Sequence, residues 1–155
     1  MILHGKDCIF PHYNDILQGL STILAKESHA STVDNICSAI SKLITVNPNG
    51  VPLEQVFPAL MQHLPLKVDF IENEAIVRCF YGLYQQGNPV LKEQLANVIK
   101  IVVHIYHKKE SSNDETENLV NDFLRTINRD FPQEFASIVA SMGEDVTNNV
   151  QKLFV

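Results

Sequence analysis

The chain has 155 residues, of which 45% are hydrophobic and 19% charged, and its mean hydropathy is −0.01. That composition excludes a disordered tail, which lacks the apolar surface needed to offset chain entropy, and no stretch approaches the roughly 20 unbroken apolar residues of a membrane-spanning helix. The net charge of −6 argues against direct contact with nucleic acid, whose phosphates need a basic surface, and leaves a basic protein partner or plain solubility as its meaning.

Met1, Ile2 and Leu3 run straight into His4, Gly5, Lys6 and Asp7, unlike a secretory leader. Cys8, Cys37 and Cys79 are odd in number, far apart and without a CxxC pair. They predict buried thiols in a reducing compartment.

The apolar spacing is helical almost throughout. The first helix is predicted over 13–25, with Ile16, Leu17, Leu20, Ile23 and Leu24 as its stripe. The second spans 32–46, with Ser31 as N-cap and Pro48 as stop signal. Asn47, Pro48, Asn49 and Gly50 make a turn. The third covers 53–64 and contains Pro58, which should kink or loosen it. The fourth covers 72–86, ended by Gly87 and Asn88. The fifth begins after Pro89 and carries Val98, Ile99, Val102 and Val103. Residues 108–117 are charged and polar without an apolar anchor, and read as an exposed loop. Helices follow over 117–129, 133–142 and 145–154, with Pro132 between the first two of these.

These eight short helices repeat. Ile36, Ile40, Leu43 and Ile44 align with Ile76, Phe80, Leu83 and Tyr84 at an offset of 40, and Ile9, Phe10 and Pro11 answer Val56, Phe57 and Pro58 at an offset of 47. A two-helix unit recurring every ~40–47 residues is the period of HEAT and armadillo arrays. One helix pair cannot bury both its apolar faces, and stacking pairs buries a continuous core. The fold class predicted is therefore all-α, an α-solenoid of about four stacked pairs, with units near 1–46, 47–87, 88–130 and 131–155.

Two segments carry a family likeness. Val33-Asp34-Asn35-Ile36-Cys37-Ser38-Ala39-Ile40-Ser41-Lys42-Leu43 resembles the second helix of a HEAT repeat in the importin-β (karyopherin-β) family. Val56-Phe57-Pro58-Ala59-Leu60-Met61-Gln62-His63-Leu64-Pro65-Leu66-Lys67-Val68-Asp69, followed by Phe80-Tyr81-Gly82-Leu83-Tyr84, is similar to the late repeats of that family's importin-4 branch. The likeness is best from Pro11 to Tyr106 and weak after Lys108. Receptors of the family are far longer, so the resemblance implies a C-terminal fragment, with the apolar ending at Val155 capping the array.

The resemblance further implies a nuclear transport receptor, found in cytoplasm and nucleus, that holds basic cargo such as histones or ribosomal proteins on a concave face lined by second helices. It implies that Ran GTPase binds N-terminal repeats absent from this chain, and it allows for nucleoporins as further partners. A HEAT-type scaffold for assembling other proteins is the competing reading. No enzyme, cofactor, nucleic-acid or membrane role is expected.

If second helices face inward, their non-core positions form the cargo wall. The candidates are Asp34, Asn35, Ser38, Glu72, Glu74, Arg78 and Tyr81. Asp34 and Glu74 are equivalent by the 40-residue offset, and carboxylates aligned on one wall suit a Lys/Arg-rich peptide. Asn35 suits a cargo main chain, and Tyr81 a lysine stem or a cation. Each has a plainer alternative: Asp34 and Glu74 as helix-start acids complementing the dipole, Asn35 bonded to a neighbouring turn. Asp69 reads as a turn or N-cap residue. Glu110, Asp114, Glu115 and Glu117 read as a second basic-partner patch or a solvated run.

His104 and His107 share a helix face but lack a third ligand at useful spacing and adjoin Lys108 and Lys109, which argues against zinc. There is no phosphate loop, G-x-S-x-G or H-E-x-x-H, and no cysteine sits in a pattern that would make a thiolate nucleophile.

Overall fold

Helices form where the apolar stripes run, and at the starts near residues 89 and 114 a side chain takes over a backbone hydrogen bond. The computed structural model describes residues 13–26 and 29–154. The Ile9-Phe10-Pro11 segment, Cys8 and Val155 lie outside the described residues. Among the described residues there is no strand, and no helix is long and apolar enough to cross a membrane.

The first helix, α1, is Tyr13–Lys26 and buries Leu17 and Leu24. The second, α2, is Ala30–Val46. It starts two residues before the predicted boundary, with His29 rather than Ser31 at its N-cap. Asn47 then closes the predicted turn, its side chain accepting from the Gly50 amide at 3.2 Å.

The third, α3, is Leu53–Met61 and holds Pro58 within it. It stops short of residue 64 because Pro65 disfavours helical geometry at Leu64. A 3-10 turn, Phe70–Glu72, then leads into α4, Asn73–Gln85.

The predicted fifth helix is two. Asn88 caps α5, Pro89–Glu93, by accepting from the Val90 amide at 3.0 Å, and the chain re-enters helix as α6, Leu95–Lys108. Lys109 ends α6 in the left-handed region at φ 56°.

Of the run at 108–117, residues 109–113 form the loop, with Glu110 and Ser111 partly buried, and the remainder is helical. Asn113 accepts from the Thr116 amide at 2.8 Å, so α7 begins at Asp114 and runs to Asp130. The acids Asp114, Glu115 and Glu117 thereby occupy a first helical turn, where the dipole and free amides favour negative charge. Glu110 is largely buried, 14% exposed, with Oε2 3.5 Å from His104 Nε2. Two short helices complete the chain, α8 at Pro132–Ser141 and α9 at Glu144–Gln151, followed by a 3-10 turn at Lys152–Phe154.

The packing is that of an all-α solenoid, with helices in series. The second helices form one layer: α2 lies against α4, and α4 against α7. Behind them α1 packs on α2, and α6 on α7. Phe57 of α3 meets Phe80 of α4 edge to face at 5.7 Å. At the far end α9 packs on α6 and α8, and Phe154 meets Phe135 at 5.7 Å. Ile40, Leu43, Ile44, Phe57, Phe80, Val102, Phe123 and Leu124 are at most 2% exposed, so a continuous core runs through successive units.

Candidate functional site

The α2 candidates turn inward. Asp34 is fully buried. Its Oδ2 accepts from the amides of Val68 at 2.7 Å, Asp69 at 2.9 Å and Lys67 at 3.0 Å, and its Oδ1 from Lys67 at 3.1 Å. Three consecutive amides around one carboxylate form an anion nest, and nothing of Asp34 is left to face a ligand. Ser38 and Ser41 are buried as well. The Ser38 hydroxyl donates to Glu72 Oε2, and that of Ser41 to the Cys37 carbonyl at 2.8 Å.

Asn35 is exposed, but its amide donates to the Ser31 carbonyl at 2.8 Å and to Asp69 Oδ2 at 2.7 Å, and the Ser31 hydroxyl reaches the same oxygen at 2.6 Å. Asn35 therefore serves the neighbouring turn, and Asp69 is a turn residue that accepts from α2. Together these side chains latch α2 to the segment between α3 and α4.

The next unit repeats the latch with a different residue. Asn73, 1% exposed, donates to the Glu110 carbonyl at 3.1 Å, tying α4 to the segment that leads into α7. The partner of Asp34 in role is thus Asn73 and not Glu74. On α7 Thr116 is fully buried, and its hydroxyl has no hydrogen-bond partner among the described residues.

The remaining candidates come together on the α2–α4–α7 layer. Glu72 Oε2 lies 3.2 Å from Lys42 Nζ. Arg78 Nε donates to Glu74 Oε1 at 2.9 Å, while its Nη2 bonds Glu115 of α7. Those carboxylates, Glu74 first, raise the Arg78 guanidinium above its ordinary range. Between α2 and α4 lies a groove of about 240 Å³ lined by Lys42, Thr45, Ile71, Glu72, Glu74, Ala75 and Arg78. Ile71 is 67% exposed at its edge.

Tyr81 lies across Phe123 with ring centres 4.9 Å apart, and its hydroxyl is 3.3 Å from Thr126 Oγ1. Tyr84 meets the same phenylalanine edge-on at 5.5 Å and donates to Asp130 at 2.7 Å. Burial, then the Asp130 hydrogen bond, pushes the Tyr84 phenol up. Asp130 is held low, by Arg129 first and Tyr84 second.

Sequence reasoning missed Ile71 and Glu115 as members of this surface, and with them the pairing of Lys42 to Glu72. Lys42 and Glu115 stand one helix away from the acids and base they pair with, and pattern along a single helix does not reveal that. The inward turn of Asp34, Ser38 and Ser41 did have a signal: they recur at spacings of four and three on the stripe that carries Cys37 and Ile44.

The surface around α2 and α4 is close to neutral, with Glu72 and Glu74 paired to Lys42 and Arg78. The chain's acidity lies further on. Residues 110–145 hold nine acids against two arginines, Arg125 and Arg129.

Other chemistry-bearing groups are occupied. Burial pushes the Cys37 and Cys79 thiols up to about 12, leaving them protonated and unreactive. His107 Nδ1 is 3.1 Å from Asn149 Nδ2, whereas His104 faces Glu110, so the two imidazoles have different partners. Among the described residues no group of three His, Cys, Asp or Glu side chains could hold a metal ion.

No protein-family model matches the chain. It is 33% identical over 130 residues to the probable importin subunit beta-4 of Schizosaccharomyces pombe, a match covering 83% of this chain and 12% of that protein. It is 40% identical over 84 residues to importin-4 of Homo sapiens, covering 54% of this chain and 8% of that protein. Against importin-4 of Mus musculus the identity is 34% over 102 residues, covering 66% and 9%. The matches thus span about a tenth of the length of these relatives.

Proposed function

The chain belongs to the importin-β family, most like importin-4, and from that premise we propose that it forms part of the cargo-holding wall of a nuclear import receptor and takes basic cargo, of the histone or ribosomal-protein kind. The observation that carries this reading is the side-by-side packing of α2, α4 and α7. It brings Glu72, Glu74, Glu115 and the face of Tyr81 onto one surface. Carboxylates there accept charge-assisted hydrogen bonds from lysine or arginine, and the Tyr81 ring offers a platform for an alkyl stem. The acid-rich stretch from 110 to 145 extends the attraction beyond the wall. The role is transport between cytoplasm and nucleus rather than catalysis.

Titration with a histone-tail peptide at two salt concentrations tests it. Binding should be measurable at low salt and weaken as salt rises. No binding at low salt removes the reading.

One observation favours the scaffold alternative. The wall's acids are paired with Lys42 and Arg78, and Val68 and Ile71 are exposed beside them, so the surface is mixed rather than acidic. Salt-independent binding of a neutral, apolar partner peptide at this surface would favour that reading.

A further inference from the structure

Arg78 spans two helices with one guanidinium. Its Nε donates to Glu74 on α4 while Nη2 donates to Glu115 on α7. The two carboxylates are therefore set at the separation a single guanidinium fork bridges. That is a geometric requirement an ammonium, as a point charge, does not impose. The arginine that meets it is half in solvent, with its side chain 43% exposed and that of Glu115 71% exposed. Exposed pairs of this kind contribute little net stability, so exchanging their partner costs the fold little. Beside the pair runs the α2–α4 groove, of about 240 Å³. Exposed Ile71 on its rim supplies an apolar surface for an alkyl stem.

We propose that Arg78 is an internal stand-in for an arginine side chain of the partner. In the free chain it bridges Glu74 and Glu115 and offsets one of their two charges. On binding, a partner arginine lays its stem in the groove along Ile71, its guanidinium takes over the carboxylates, and Arg78 swings to solvent. The proposal rests on the cargo-wall reading above and adds two things to it: a preference for arginine over lysine, and a built-in competitor that limits affinity. The near-neutrality of the wall then sets a threshold. A partner must bring enough positive charge in the right register to displace Arg78, so weakly basic chains are turned away.

The test is a titration of the 155-residue chain with a short Arg-Gly repeat peptide, its lysine counterpart and its citrulline counterpart at low salt. Arg78→Gln should bind the arginine peptide about two- to fivefold more tightly than the parent, in proportion to the weak pair it removes. Glu74→Gln and Glu115→Gln should each bind it more weakly, and the citrulline peptide should not bind. Lys100→Gln, the same charge change on α6, controls for net charge. If Arg78→Gln weakens binding, or changes it no more than Lys100→Gln does, the stand-in role is overturned while the cargo wall survives. If the lysine peptide binds as well as the arginine peptide, the fork argument fails. If the parent chain binds none of the peptides, the cargo-wall reading falls, and this inference with it.

Discussion

The Val68 amide donates to Asp34 Oδ2 at 2.7 Å, joining residues 34 positions apart. The bond belongs to a set in which one buried carboxylate receives three successive amides of the segment between α3 and α4. Asp34→Ala should leave all three amides without a partner. A loss of about 3 kcal/mol is expected, since hydrogen bonds to charged groups contribute about 1.5–3 kcal/mol each and do not add fully. Asp34→Asn keeps one acceptor oxygen and should lose roughly half as much. Urea unfolding checks both, with the midpoint falling and the slope unchanged.

Phe123 is the platform on which both Tyr81 and Tyr84 rest. Phe123→Leu should cost about 2 kcal/mol through lost volume and two aromatic contacts. Phe57→Leu, whose ring meets only Phe80 among the described aromatic pairs, should cost a comparable amount. The two should part company in binding. With Tyr81 unsupported, Phe123→Leu should weaken a histone-tail peptide, while Phe57→Leu should leave its affinity unchanged.

Most of the fold was legible because burial is periodic. Ile36, Ile40, Leu43 and Ile44 repeat as Ile76, Phe80, Leu83 and Tyr84, and that alone implies helices stacked in units. Boundaries were less legible where a single side chain decides them. Asn113, a cap unnoticed in a polar run, starts α7 at Asp114, three residues before the expected boundary. The break at Gln94 has no sequence signal of its own. The site was legible only in part, because Asp34 and Glu74 share an offset but not a role. Whether an acid at a helix start faces solvent depends on the segment packed against it, here 67–69, and that partner lies outside any single-helix pattern. Glu72, Glu74, Arg78 and Tyr81 lie along the α2–α4–α7 layer, and their partners Lys42, Glu115 and Thr126 come from neighbouring helices.

Gly143 adopts φ 122°, ψ 162°, a region essentially closed to side chains, where the chain turns from α8 into α9. Nothing lies within 4 Å of where its Cβ would sit, so the cost of Gly143→Ala is backbone strain alone. A loss of about 1–3 kcal/mol is expected. Gly19→Ala, within α1 and equally unobstructed, should instead gain about 0.5–1 kcal/mol from helix propensity and reduced unfolded-state freedom. Thermal melts of the two variants should shift in opposite directions.

The buried thiols set an alkaline limit on stability. Burial raises Cys79 from an ordinary 9.0 to about 12, more than hydrogen bonds from Ser41 and Thr45 lower it, and Cys37 is raised likewise by burial and then by Asp34. The folded chain holds these protons where the unfolded chain releases them. The unfolded state therefore binds fewer protons above about pH 9, and stability must fall as pH climbs towards 12. Well below pH 9 both states are protonated, and the thiols add no slope. Cys79→Ala should flatten the alkaline limb of the stability curve while shifting the neutral plateau by a separate packing cost. Chemical unfolding measured between pH 8 and 11 checks the sign. An alkylating reagent at pH 8 should leave Cys37 and Cys79 unmodified in the folded chain and label both once urea has opened it, with peptide mass spectrometry reading each site. Rapid labelling of Cys79 in the folded chain would show that α2 and α4 separate far more readily than their packing implies.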